Sequence, residues 1–213
     1  MPYPTYTIDP YAWVPLLSLK EHLNIPEATL TQDNVLTRYI NTSTAMIESF
    51  LDRKVIKRQF TEYYDGRGQD RMLLRQWPVA KPTELWDDPS SLFTDVNNKY
   101  ALTEFEVDGE GDSAVGIILL GGQRFSKGSR SIKVIYEGGY TLATVPAQLF
   151  EAVLLHAEFL LDMRTDRRIG ISTKGKNQES TTFLSDLPEV VKNMLRPYQR
   201  LEVPLAYTGV QNN

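Results

Sequence analysis

Residues 146–164, with the sequence PAQLFEAVLLHAEFLLDMR, predict a long helix that constrains how the rest of the chain can fold. Pro146 suits the first helical turn, where its missing N–H would have no partner, and Arg164 complements the helix dipole at the far end. Apolar side chains cover most of the circumference, so we expect other elements, including those of a neighbouring subunit, to bury this central helix. The side chains predicted to be buried are Phe150, Leu154 and Leu161.

The central helix is also long enough to span a bilayer, which needs about 20 apolar residues. However, Glu151, His156, Glu158 and Asp162 lie inside it, and ionisable side chains are costly in hydrocarbon. The sequence therefore predicts a helix buried in protein and no membrane partner.

Composition narrows the class of protein. The chain has 213 residues, 41% of them hydrophobic, which suits one domain with an ample core. Its net charge of −4 and pI of about 5.3 argue against general nucleic-acid binding, which needs many Lys and Arg. The chain lacks cysteine, which excludes disulfides and thiolate catalysis and fits either a reducing compartment or a virion. The first residues show no signal-peptide pattern.

The order of the patterns predicts one α+β domain over residues 1–213, with a helical core and an inserted, mostly antiparallel β-sheet block. The core comprises two N-terminal helices, the long central helix and a C-terminal helix. The expected segments are an extended arm at 1–17, the N-terminal helices at 18–54, the β-rich block at 55–140, the central and C-terminal helices at 141–197 with a flexible loop at 165–185, and a tail at 198–213.

The helices have recognisable ends. Ser18 and Glu21 form a capping-box pattern that predicts a short helix at 19–23. The second helix, at 32–51, has apolar residues at helical spacing, and the small polar Ser43 interrupts that stripe. The last helix is expected to start after a cap at Ser185 or Asp186, to hold Pro188 in its first turn and to end at Pro197.

The β-rich block predicts several short strands. Residues 55–64 and 71–76 are expected to pair across the turn at Asp65–Asp70. The further predicted strands are 84–86, 100–107, 116–120 and 131–136. Residues 79–130 are expected to lie outside the helical core and to form a lateral or tail-facing contact surface.

Few residues could carry chemistry, and no cofactor is indicated. His22 and His156 lack partners at metal-ligand spacing, and His156 is predicted to be a packed histidine with one hydrogen bond. Asp108–Asp112 lacks the spacing of a calcium-binding loop and predicts a solvated turn, with a bound cation as the alternative. The pairs Asp87–Asp88 and Glu104–Glu106 are interpreted as solvated. We expect no catalytic and no metal site.

One local charge inversion stands out on this acidic chain. Five basic residues lie close together in the sequence, and the only acidic residues among them are Asp162 and Asp166. This basic cluster predicts contact with a neighbouring subunit or an acidic partner. The cluster comprises Arg164, Arg167, Arg168, Lys174 and Lys176. A solvated loop is the alternative.

The C-terminal tail carries sparse apolar side chains that Pro204 and Gly209 interrupt, so it is not expected to form an independent element. Its apolar residues are Leu201, Val203, Leu205, Tyr207 and Val210. The first four alternate, as in a strand that adds to the sheet edge of another protein. A disordered terminus is the alternative.

The order of the segments resembles the head–tail connector family of tailed bacteriophages, also called adaptor or head-completion proteins. Four stretches carry the resemblance: SLKEHLNIPEATLTQDNVLTRYINTSTAMIESFLDRKV, FTEYYDGRGQDRMLLRQWPV, YEGGYTLATVPAQLFEAVLLHAEFLLDMR and LPEVVKNMLRPYQRL. Together they cover about half of the chain. The departure from the pattern is the middle, residues 79–130, which is longer than the small connectors carry.

The resemblance implies a virion protein without enzymatic activity, assembled as a ring of about twelve subunits beneath the portal at one capsid vertex. Such a ring extends the DNA channel, whose acidic lumen lets genomic DNA slide through without sequence-specific binding. The implied partners are the portal protein, to which the C-terminal tail is expected to dock, and a stopper or tail-completion protein. The alternatives are another neck or tail structural protein, such as a stopper or tail-completion protein itself, and a packaging accessory factor.

Overall fold

The structure is a computed structural model that describes residues 4–165 and 187–200. It confirms the α+β class, with four α-helices and two small antiparallel sheets in the described residues. The helices are α1 Leu16–His22, α2 Asp33–Leu51, α3 Ala147–Thr165 and α4 Glu189–Leu195, and the strands are β1 Arg58–Arg67, β2 Arg71–Leu73, β3 Glu84–Asp87, β4 Phe105–Asp108, β5 Gly116–Leu119 and β6 Lys127–Gly138. Short 3-10 segments lie at Val96–Asn98, Gly111–Ser113 and Arg196–Tyr198.

Helix α3 is the centre of a helical core in which it contacts α1, α2 and α4. Leu149, Ala152 and Val153 are fully buried there, and Leu154 is also buried. The prediction was wrong for Phe150 and Leu161, which are only half-buried and lie against the edge of this core. Leu155, Phe159 and Leu160 are also only half-buried, so the apolar residues around the circumference of α3 are not all covered by the other elements of this chain.

The predicted extended arm at 1–17 ends earlier than expected, because the chain enters the helical core at Trp13 and α1 already begins at Leu16. Trp13 and Val14 are buried in the helical core, and the indole Nε1 of Trp13 donates a 2.9 Å hydrogen bond to the carbonyl oxygen of Leu149. Helix α1 then begins at Leu16 after Pro15, whose ring restricts the chain to the extended conformation found just before a helix. Ser18 therefore lies inside the helix, and the predicted capping box was wrong.

The six strands form sheet I, in the order β1-β6-β3, and sheet II, in the order β2-β5-β4. The predicted pairing of β1 with β2 was wrong, because β1 pairs with β6 as far as Arg67 opposite Lys127. Gly66 makes this possible: a Cβ there would lie 1.7 Å from the carbonyl oxygen of Ser126. Strand β2 instead pairs with β5, which places Met72 beside Ile117 in the core.

The two sheets pack on each other as a β-sandwich with its own hydrophobic core. Phe105, Ile117 and Leu119 of sheet II meet Val134 and Tyr136 of sheet I in one buried cluster. As predicted, residues 79–130 lie largely outside the helical core, because their buried side chains belong to the hydrophobic cluster of the sandwich. None of the helices in residues 4–165 and 187–200 is long and apolar enough to cross a membrane.

Candidate interaction surfaces

A buried polar pair lies inside the interface between α2 and α3. His156 is buried, and its Nδ1 lies 2.9 Å from the hydroxyl oxygen of Ser43, which is fully buried. Burial lowers the pKa of His156 to about 4, so the imidazole is neutral at pH 7. This confirms the predicted packed histidine. It also explains why Ser43 interrupts the apolar stripe of α2, since any apolar residue there would leave the imidazole nitrogen unpaired.

An extended N-terminal strap, residues 4–12, lies along the outer side of α2. The Nδ2 atoms of Asn34 and Asn41 donate to the carbonyl oxygens of Pro4 and Thr7, at 3.0 and 2.8 Å. Their Oδ1 atoms accept hydrogen bonds from the backbone N–H groups of the strap two residues further along the chain, at 2.6 and 2.9 Å. Residues seven apart lie on one helix face, so α2 holds this backbone at two points.

A buried lysine fixes the link between α1 and α2. Lys20 is 3% exposed, and its Nζ donates to the carbonyl oxygens of Glu27 and Thr29 at 3.0 and 2.9 Å. The same nitrogen lies 2.6 Å from Oδ1 of Asp33 in the first turn of α2. A buried ammonium needs such a full set of oxygen partners. The link therefore has a defined shape at the surface, where it exposes Leu30.

Two charged residues join the helical core to the β-sandwich. The buried carboxylate of Glu48 lies 2.7 Å from Nζ of Lys54 and 3.1 Å from Nη2 of Arg58 on β1. The guanidinium of Arg53 lies 3.5 Å from the centre of the Trp77 ring and donates to the carbonyl oxygen of Trp77 at 2.6 Å. Burial lowers the pKa of Arg53. These contacts hold the two parts in one orientation.

The last described residues are fixed at the C-terminal end of α2. The backbone N–H of Arg200 donates to the carbonyl oxygen of Leu51 at 3.0 Å, and Nη1 of Arg200 lies 3.0 Å from Oδ2 of Asp52. Nε2 of Gln199 donates to the carbonyl oxygen of Phe50, also at 3.0 Å. These groups satisfy helix-end carbonyls that would otherwise lack partners. The C-terminal tail consequently starts from a defined point on the helical core.

Comparison with known families identifies the class of protein. The family model described as "Head completion protein" matches residues 16–201, which is most of the chain. The chain belongs to the head completion protein family. This confirms the resemblance found in the sequence and establishes a structural role at the connection between phage head and tail.

Three solved structures share this fold. One is described as the neck of an empty GTA particle computed with C6 symmetry, with a TM-score of 0.59, 18% identity, and coverage of 94% of this chain and 96% of that chain. The neck of the native GTA particle computed with C12 symmetry matches with a TM-score of 0.58 at 19% identity over 95% and 97%. A chain of the native gene transfer agent virion matches with a TM-score of 0.59 at 20% identity over 94% and 96%. No curated protein sequence matches this chain.

Most of the residues predicted to bind partners of this head completion protein lie outside the described residues. Arg164 is exposed in the last turn of α3. The remaining predicted residues lie in the segments that the structure leaves undescribed: Arg167, Arg168, Lys174, Lys176, Leu201, Val203, Leu205, Tyr207 and Val210. Their roles stay predictions.

The acidic pairs have structural surroundings that the sequence did not indicate. Asp88 is buried, so its interpretation as a solvated carboxylate was wrong. It accepts hydrogen bonds from the hydroxyl and backbone N–H of Ser90 and from the N–H of Phe93, at 2.7, 2.9 and 2.7 Å. These bonds, led by the Ser90 hydroxyl, hold the pKa of Asp88 below its usual range. Glu104 accepts a hydrogen bond from the N–H of Ala101.

The segment Asp108–Asp112 connects β4 to β5, as the turn interpretation predicted. Oδ2 of Asp108 lies 3.6 Å from Nη1 of Arg71, and the hydroxyl of Ser113 donates to the carbonyl oxygen of Glu110 at 2.6 Å. Within residues 4–165 and 187–200, no group of three or more His, Cys, Asp or Glu side chains could hold a metal ion.

Proposed function

We propose that this head completion protein is the subunit of a homo-oligomeric adaptor ring in the virion neck. The ring would sit between the portal vertex and the tail or stopper protein, extend the DNA channel and act without catalysis. Family membership over residues 16–201 carries this proposal. The shared fold with chains of neck structures computed with C12 and C6 symmetry supports a ring of about twelve subunits.

The fixed origin of the C-terminal tail supports its proposed role in portal binding. Arg200 and Gln199 attach the chain to the end of α2, so every copy in a ring would project its tail from an equivalent point. The predicted contacts with the portal are Leu201, Val203, Leu205, Tyr207 and Val210. A short tail binds weakly alone because it loses conformational entropy, but many copies on one ring would act together.

The proposals for the basic cluster and for genomic DNA rest on the charges of the side chains. The basic cluster formed by Arg164, Arg167, Arg168, Lys174 and Lys176 would contact an adjacent subunit or an acidic partner. Genomic DNA would pass through the ring without sequence-specific contacts, which fits a chain with a net charge of −4.

A chain truncated after Arg200 tests the proposal. The truncation keeps the contacts of Gln199 and Arg200 with α2, so we expect its circular dichroism and melting temperature to match those of the full chain. Its attachment to purified portal-bearing heads should fail, as seen by electron microscopy of the vertex. The matched control is a full-length chain in which the polar Gln211, Asn212 and Asn213 alone are replaced by serine, and it should attach normally. A truncated protein that still fills the vertex would refute portal binding by the tail.

A further inference from the structure

Strand β1 is the longest strand at an edge of either sheet, and its side away from β6 is free. We propose that this free edge binds an extended segment of another protein of the virion neck, which adds to sheet I as a further strand. The inference rests on the proposed function and names a surface through which the ring would hold its next neck component.

The hydrogen bonds of β6 determine which backbone groups of β1 point outward. The odd-numbered residues of β6 direct their carbonyl oxygens away from β1, where they accept backbone hydrogen bonds of 2.7–2.9 Å from the β3 side of the sheet. These residues are Ser131, Ile135 and Glu137. Backbone groups alternate between the two sides of a strand, so the even-numbered residues of β6 bond to β1.

The register of β1 and β6 then identifies the free groups. The even-numbered residues of Phe60–Tyr64 lie opposite even-numbered residues of β6, and their N–H and C=O groups pair with it. The N–H and C=O groups of Gln59, Thr61 and Tyr63 therefore point away from β6. None of the described residues forms a hydrogen bond with these outward groups. Gln59 and Thr61 are also exposed, so this edge is open to another chain.

The other outer strands are short or covered. Strands β2 and β4 have only three and four residues. Strand β3 is covered on its outer side, where the carbonyl oxygen of Leu85 accepts a 2.9 Å hydrogen bond from the N–H of Tyr100 and Trp86 pairs with Lys99. Short strands and covering segments protect sheet edges from other chains. Neither protection applies to β1 along Gln59–Tyr63.

The composition of this edge favours pairing with a strand. Residues 59–64 are rich in aromatic and β-branched side chains and contain neither proline nor lysine, the residues that commonly block an edge. Glu62 is the one carboxylate in this stretch, and it accepts hydrogen bonds from the hydroxyl groups of Tyr64 and Tyr136. Since Tyr136 belongs to β6, these bonds draw the carboxylate toward the interior of the sheet and away from its free edge.

The side chains beside the edge define the segment that fits. Phe60 and Tyr64 are half-buried and pack against the core of the sandwich. An added strand would place every second side chain over this margin, and apolar side chains there would complete its burial. The fitting partner is therefore an extended segment of about five residues with apolar side chains at alternate positions and backbone N–H groups free to pair.

A second copy of this chain offers no matching strand among its described residues. Pairing of β1 with β1 of another copy would be a twofold contact, which closes as a dimer and does not continue around a ring. Strands β2 and β4 are too short to pair with all of Gln59–Tyr63, and the outer side of β3 is already covered. The free edge therefore fits a different neck protein.

Amide hydrogen exchange of the full-length chain, resolved by NMR, tests the direction of the edge. The N–H groups of Gln59, Thr61 and Tyr63 should exchange at least about tenfold faster than the even-numbered N–H groups of Phe60–Tyr64, because only the latter are bonded to β6. Equally slow exchange of the two sets would show that the edge is already covered, and it would overturn the inference.

Thr61→Pro tests whether the edge is used. Proline lacks an N–H group, and the N–H of Thr61 faces away from β6, so the circular dichroism and melting temperature should stay close to those of the parent. Rings of this variant should occupy the vertex of portal-bearing heads, but the joining of purified tails should fall at least about tenfold, since the added strand loses a hydrogen bond and meets the proline ring. Thr61→Val keeps the N–H and is the matched control; it should join tails within about threefold of the parent. Gln59→Pro, which also removes an outward N–H, replaces Thr61→Pro if that variant does not fold.

Photo-cross-linking identifies the occupant. A photoreactive amino acid in place of Gln59 should link this chain to another neck protein in tail-joined particles, as determined by mass spectrometry. A link to a second copy of this chain would overturn the inference, and so would normal joining of tails by a folded Thr61→Pro ring. A folded Thr61→Pro chain that fails to occupy the vertex would assign the edge to contacts within the ring, which also overturns it. Failure of the parent chain to occupy the vertex would instead refute the proposed function.

Discussion

The helical core and the β-sandwich are held together by different means. In the core, adjacent helices bury apolar stripes, and one polar pair, His156 with Ser43, is enclosed between α2 and α3. In the sandwich, only β4 and β5 pair across a short connection, whereas the other strands pair with partners far away in the sequence, and β1 pairs with β6 from Arg58 opposite Gly138 to Arg67 opposite Lys127. The helical part therefore depends on the character of the residues along each helix, whereas the sheets depend on a few positions where two backbones approach closely.

The largest effect should come from breaking the helical core with Leu154→Asp. This change buries an unpaired carboxylate in α3 and should destabilise the fold by about 4 kcal/mol, with loss of the helical circular dichroism signal. Urea titration measures the loss. Val190→Asp, at a position that is 59% exposed on α4, is the control and should change stability by less than about 0.5 kcal/mol. A Leu154→Asp protein that melts near the parent's temperature would refute the burial of this face.

The addition of a methyl group at Gly66 should be enough to disrupt the β-sandwich. A Cβ there would lie 1.7 Å from the carbonyl oxygen of Ser126, so Gly66→Ala should separate the ends of β1 and β6 and cost about 3 kcal/mol. Gly121→Ala is the matched control: nothing lies within 4 Å of its added Cβ, and its positive φ alone should cost about 1 kcal/mol. Chemical denaturation compares the two variants. Equal losses would show that the close approach at Gly66 does not determine the pairing.

The smallest of the three effects is a dependence on pH inside the helical core. The pKa of His156 is about 4 in the folded chain against 6.5 for an exposed imidazole, so the unfolded chain binds the proton first as the pH falls. The stability is complete above pH 6.5 and declines as the pH falls toward 4, with a loss of about 2 kcal/mol at pH 5. Denaturation at pH 7 and pH 5 measures it. His156→Gln, which can still bond Ser43, should reduce this dependence, and an unchanged dependence would assign it to other groups.

The long helices of the core were easier to predict from the sequence than the pairing of the strands. Helices α2 and α3 are long and periodic, so their ends lie within about one residue of the predicted positions. The start of α1 was mispredicted although Pro15 was a usable local signal, because the capping-box pattern of Ser18 and Glu21 pointed to a later start. The partner of β1 was mispredicted because the close approach at Gly66 involves Ser126, which is distant in the sequence.

The polar residues that fix the surfaces were mostly missed. The spacing of Asn34 and Asn41 places both on one face of α2 and was a usable signal for the strap. The position of Lys20 in α1 was a weaker signal that its side chain would be buried and would fix the link to α2. Nothing in the sequence indicated that Asp88 would be buried, because its partners are the Ser90 hydroxyl and backbone N–H groups of the loop that follows it.

Cryo-electron microscopy of portal-bearing heads incubated with the purified full-length chain directly tests whether this protein forms an adaptor ring. We expect ring-shaped density directly beneath the portal, with rotational symmetry and with each C-terminal tail directed toward the portal. Density at any other position on the particle, or heads whose portal vertex stays unchanged at saturating protein, would contradict it.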